Sequence, residues 1–97
     1  MKIVYTEDAL RDLDDILAFL ADHYPSVIAP FEWRLEDLLD NVAAWPESKP
    51  LLDNSSGIRV AFLGKYPYRI FYRVDPDQIT VLHVHHTARR PWRPADA

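Results

Sequence analysis

Four side chains in the C-terminal third have the types and spacing to do chemistry. His83 and His85 stand two apart in the run Ile79-Thr80-Val81-Leu82-His83-Val84-His85. Arg69 lies in the run Tyr68-Arg69-Ile70-Phe71-Tyr72-Arg73-Val74, and Arg89 follows both. Imidazole titrates near neutrality, so two histidines on one strand face could exchange protons with a bound molecule. A His-x-His pair is also half of a metal site. No Asp or Glu lies close in sequence to complete that half, so neither a metal nor a cofactor is expected. The plain alternative is a solvated polar strand face, and the sequence leaves all three open. Beyond the histidines, Arg89, Arg90, Trp92 and Arg93 form a cationic tail. Arginine and tryptophan are common binding anchors; the competing reading packs Trp92 on a sheet edge and leaves the arginines solvated.

A β-hairpin must position these groups. Its strands are rich in β-branched and aromatic residues, and Asp75-Pro76-Asp77 is turn chemistry. Side chains alternate across a strand. Alternation therefore predicts Ile70, Tyr72, Leu82 and Val84 on the core side, and Arg69, His83 and His85 together on an open, cationic side. The charge distribution agrees. Of the 15 acidic residues only Asp75, Asp77 and Asp96 lie beyond Asn54, whereas Arg59, Lys65, Arg69, Arg73, Arg89, Arg90 and Arg93 do. Such asymmetry suits a polyanionic or acidic partner, or two halves that attract each other.

The preceding chain reads as the support for this hairpin. Lys2 to Tyr5 is a short apolar strand, Thr6 a good N-cap, and Glu7 and Asp8 suit the positive end of a helix. Ala9, Leu10, Leu13, Ile16, Leu17 and Leu20 recur at helical spacing, with Arg11, Asp12, Asp14, Asp15 and Asp22 mostly on a solvated face. Tyr24-Pro25-Ser26 breaks that helix. A second helix, starting between Ser26 and Phe31, carries Phe31, Leu35, Leu38, Leu39, Val42 and Trp45 on its apolar stripe and closes at Pro46. Pro30 is compatible only with a first helical turn. Pro46 to Gly57 is loop, and Ile58 to Leu63 is a strand. The expected architecture is α+β: an N-terminal strand and a helical hairpin packed on one face of a mostly antiparallel sheet.

Ninety-seven residues make one domain, spanning 1–97. A chain this short buries roughly 60–70% of its unfolded surface, enough for a core but not a deep enclosed pocket. With no cysteine, disulfides and Cys-ligated zinc are excluded. No apolar run reaches the roughly 18–20 residues of a membrane span, and the acidic start is unlike a signal peptide. A soluble cytoplasmic protein is expected. The net charge of −4 argues against nucleic-acid binding over the whole surface.

Taken together, the opening Ile3-Val4-Tyr5-Thr6 with Ala9 and Leu13, the leucine-rich second helix ending at Pro46, the run Tyr68 to Val74, and His86-Thr87-Ala88-Arg89-Arg90 resemble the RelE/ParE superfamily of type II toxin–antitoxin toxins. Their order and spacing carry the resemblance over nearly the whole chain. It implies the fold derived above and a cognate antitoxin, whose flexible segment orders on the toxin in a hetero-oligomer. It also implies one of two activities. RelE-like members cut mRNA on the ribosome; ParE-like members inhibit DNA gyrase without catalytic chemistry. For a nuclease, Arg69 matches the strand arginine, Arg89 the arginine after the last strand, and Arg59 stands near an earlier basic position. His83 and His85 would then replace the missing acid and base. The tail Pro91-Trp92-Arg93-Pro94-Ala95-Asp96-Ala97 lacks the tyrosine-bearing helix of RelE-like enzymes. The resemblance therefore leans towards a ParE-like gyrase inhibitor of the plasmid-stabilisation type. Arg59, Arg89, Arg90, Trp92 and Arg93 would be its target contacts, and a ribosome-dependent mRNA endoribonuclease is the alternative.

Overall fold

Thr6 sets the first corner of the fold. In the computed structural model, which describes residues 1–94, strand β1 (Lys2–Tyr5) leads directly into helix α1 (Glu7–His23). The Thr6 hydroxyl accepts from the Ala9 backbone N–H at 3.0 Å, as an N-cap should. It also donates to the Leu82 carbonyl at 2.9 Å, which fixes the helix start to the last strand. The helix ends at Tyr24, and one turn of 3-10 helix over Pro25–Val27 leads into α2 (Ile28–Ala44). Pro30 thus falls in the first turn of α2, where its missing N–H costs little.

Three strands follow: β2 (Ile58–Phe62), β3 (Tyr68–Val74) and β4 (Gln78–His86). The sheet order is β1-β4-β3-β2, with β1 parallel to β4 and the other pairs antiparallel. Both helices cover one face of this mixed sheet. Phe31, Leu35, Leu38, Leu39 and Val42 of α2 meet Ala9, Ile16 and Leu20 of α1 over Ala61, Ile70, Tyr72, Ile79, Val81 and Val84. Burial of each large apolar side chain here contributes roughly 1.5–3 kcal/mol. The expected α+β architecture is the observed one.

Two stripe residues depart from helical periodicity. Trp45 is 68% exposed because α2 stops at Ala44 and Trp45 leaves the helix with φ −133°. Leu10 is exposed because it lies beside, not on, the face that Ala9 and Ile16 bury.

The larger departure is in β4. Its register against β3 pairs Phe71 with His83 but Tyr72 with Val81, so Leu82 is an extra residue in a bulge. Ile79 and Val81 face the helices before the bulge, and Val84 faces them after it. Val81 is fully buried, whereas Leu82 is half-buried outside the core. Strict alternation had put Leu82 in the core and Val81 opposite it. The bulge reverses that assignment and leaves Arg69, His83 and His85 on the side away from the helices, as alternation predicts for those three.

Candidate functional site

On that reverse face the cross-strand pairs Arg69–His85 and Phe71–His83 bring four side chains together. The face is not open. The chain beyond β4 folds back, so that the Trp92 ring lies 4.7 Å from the His83 ring and 5.5 Å from the Phe71 ring, centroid to centroid. Phe71 is fully buried and His85 is only 3% exposed. The cause is compositional. The reverse face presents Ile58, Val60 and Phe71 as well as cations, and an aromatic residue six beyond the end of β4 covers part of that apolar surface.

Arg69 fastens this tail. Its Nη2 donates to the carbonyl of Arg89 at 3.0 Å and to that of Thr87 at 3.3 Å. Its guanidinium lies near the Phe62 and Phe71 rings, at 5.9 and 5.8 Å. Arg59 is similarly engaged: Nη1 donates to the carbonyls of Glu47 at 3.2 Å and Lys49 at 2.7 Å, tying the long loop to β2. Arg89, Arg90 and Arg93 are exposed. The structure thus brings Arg69, His83, His85 and Trp92 together, sets Arg89 at their margin, and places Arg59 apart in β2, against the long loop that precedes it.

One further residue belongs to the group, and the sequence reading left it out. Asp12 of α1 reaches the free edge of β4, beyond the last β1 pairing at Val81. Its Oδ2 accepts from the Val84 backbone N–H at 3.0 Å. The same oxygen lies 2.9 Å from His83 Nδ1 and 3.6 Å from His85 Nε2, and those two nitrogens are 3.2 Å apart. Asp12 therefore supplies the carboxylate that no neighbour in sequence could. A signal was available. Asp12 lies three residues after Ala9 and four before Ile16, on the buried stripe of the helix, where a charged side chain needs a partner. Asp8, one turn earlier, stands 3.9 Å from His83 Nε2.

Burial holds the His85 imidazole neutral, with its pKa lowered from 6.5 to about 4. The Arg89 charge adds to that effect, as do His83 and Arg69, and Asp12 opposes it. His85 Nδ1 and Arg69 Nε are both buried without a hydrogen-bond partner among the described residues.

Beside this cluster runs a groove of about 590 Å³ between α1 and the free edge of β4. Ile16, Phe19, Leu20, Tyr24 and Tyr68 make its walls apolar, while Asp12, Asp15 and Arg89 mark its rim. Phe19, half exposed, stacks on His23 at 4.4 Å and opens the groove to solvent.

A short strand, two helices over one sheet face, and a basic tail after the last strand match a known family. The sequence profile of the ParE toxin of the type II toxin–antitoxin system, parDE, fits residues 3–91. The chain belongs to the ParE toxin family. It is 34% identical over 87 residues to the protein Y4kP of Sinorhizobium fredii (strain NBRC 101917 / NGR234), whose name marks it as a candidate toxin, with 87% of this chain and 88% of that protein covered. Its fold is similar to a solved chain of the chromosomal ParDE toxin–antitoxin system from P. aeruginosa (TM-score 0.64, 20% identity, 89% of this chain and 95% of that one). It is similar also to the YoeB/ParE toxin from Agrobacterium tumefaciens (TM-score 0.64, 19% identity, 89% and 98%). For this ParE-family chain, these likenesses show a shared fold. Among the described residues no helix is long and apolar enough to cross a membrane.

Proposed function

We propose that the chain is a toxin that inhibits DNA gyrase by binding, with no covalent chemistry of its own, and that a cognate antitoxin neutralises it. The observation that supports this reading is the seat of the tail. Arg69, which a nuclease would aim at a scissile phosphate, instead donates through Nη2 to the Thr87 and Arg89 carbonyls. Trp92 covers His83 on the same face. Phosphate stabilisation requires cationic donors aimed at the reacting group, and here the central one is committed to its own main chain. What projects instead is the ridge Arg89, Arg90 and Arg93, exposed and beside Trp92. These residues are the proposed contacts with gyrase or its DNA, an action that takes place in the cytoplasm. The groove between α1 and β4 suits an apolar antitoxin segment that orders on binding.

One observation favours the alternative, ribosome-dependent mRNA cleavage: His83 is held by a carboxylate at 2.9 Å, as a general base is. Purified protein distinguishes the two. The expected outcome is loss of gyrase supercoiling with mRNA intact in a translation reaction. Arg90→Ala with Arg93→Ala should weaken inhibition at least about tenfold, and His83→Asn should leave it in place. Translation-dependent cuts in mRNA, with supercoiling untouched, would overturn the gyrase reading.

A further inference from the structure

We propose that Asp12, His83 and His85 form a binding site for a divalent transition-metal ion, of which Zn2+ is the best fit. Three potential ligand atoms converge: Asp12 Oδ2, His83 Nδ1 and His85 Nε2, separated by 2.9, 3.2 and 3.6 Å. Two ligands bonded to zinc at about 2.0–2.1 Å in tetrahedral geometry lie about 3.3 Å apart. The circle through the three atoms has a radius of about 1.9 Å, so an ion at bonding distance sits just off their plane. That is one face of a tetrahedron, reached with the side chains already in place.

The proton count points the same way. His83 Nδ1 is within hydrogen-bond distance of both Asp12 Oδ2 and His85 Nε2. A single proton there serves both neighbours only by being shared between them, whereas one cation serves all three atoms at once. Two nitrogens and one oxygen suit Zn2+ and its neighbours in the first row; Mg2+ and Ca2+ prefer oxygen donors.

The surroundings are built to hold the ligands. Packing of His85 against Phe71 at 5.6 Å orients its ring, and the His83 ring lies between Trp92 and the Asp8 carboxylate. Asp8 Oδ2 lies 3.9 Å from His83 Nε2, beyond hydrogen-bond distance, and adds a carboxylate charge on that side of the ring. The guanidinium groups of Arg69 and Arg89 oppose a cation here; the carboxylates of Asp8, Asp12 and Asp15 offset them. Asp12 and His85 also line the groove, so water or a donor atom entering the groove supplies the fourth position. A bound ion would clamp α1 to β4 and raise stability by mass action.

The test is titration of chelator-treated full-length protein with Zn2+ alone, followed by calorimetry and thermal unfolding. Expected are one ion per chain, an unfolding midpoint that rises with Zn2+ and returns on chelation, and tetrahedral visible absorption with Co2+. Asp12→Asn, which keeps an acceptor for the Val84 N–H, and His83→Asn should each weaken Zn2+ binding at least about tenfold. His23→Asn and His86→Asn should not. Far-UV circular dichroism verifies that each variant is folded, and His83, whose side chain is 16% exposed and outside the core, carries the test if Asp12→Asn does not fold. Absence of Zn2+ binding by the wild-type chain, or binding that survives His83→Asn unchanged, overturns the proposal.

Discussion

The Thr6 hydroxyl caps α1 through Ala9 and binds the Leu82 carbonyl in β4, so it acts on a local and a long-range contact together. Thr6→Ala should cost about 1–2 kcal/mol in urea unfolding, and Thr6→Ser much less. The cap was legible because Thr-Glu-Asp before an apolar stripe is a local pattern. The contact with residue 82 was not, because it depends on where β4 docks. Asp75, which the turn chemistry marked, has a carboxyl held below the usual carboxylate range by bonds from Arg73 Nε at 2.9 Å and Thr80 Oγ1 at 2.7 Å. A folded pKa below the unfolded value gives stability that is present above the unfolded pKa, about 4. That contribution is lost as pH falls through the folded pKa. The stability gap between wild type and Asp75→Asn should therefore be open at neutral pH and close as the pH drops below about 4, which urea midpoints across that range will measure.

The bulge in β4 belongs to the scale of elements. Alternation along Ile79 to His85 ranks Leu82 as core and Val81 as outward, and the observed register reverses them. Val81→Ala should cost about 1.5–3 kcal/mol and Leu82→Ala under about 1 kcal/mol; the opposite order would restore the regular strand. Alternation failed for Val81 and Leu82 because a bulge leaves no mark in composition: Leu82 is as good a strand residue as Val81. It still placed Arg69, His83 and His85 on one face, since a single inserted residue separates Val81 from the histidines but not the histidines from each other. The tail is a second element whose role rests on packing. Trp92→Ala should cost about 1–2 kcal/mol and increase solvent access to Phe71, visible as faster hydrogen exchange along β3.

At the scale of the whole molecule, the acidic first half and basic second half meet at chosen points. Arg59 reaches Glu47 at 3.8 Å, and the histidines of β4 reach Asp8 and Asp12. Among the described residues no carboxylate pairs with Arg90 or Arg93, which leaves the tail ridge to a partner. The apolar groove lies on the side where α1 meets the free edge of β4. Phe19 projects into it, half exposed, so Phe19→Glu should leave the unfolding midpoint nearly unchanged. The same substitution should weaken binding of the cognate antitoxin at least about tenfold, measured by calorimetry on the purified pair.

Periodicity, capping and turn residues are local, and they determined the order of strands and helices, the face of each helix that is buried, and the grouping of Arg69 with the two histidines. Three features needed the folded chain: the bulge at Leu82, the return of Trp92 over Phe71, and the approach of Asp12 to the His83 imidazole 71 residues away. Each depends on where one finished element lies against another. That relation is set by packing over the whole core, and no window of sequence contains it.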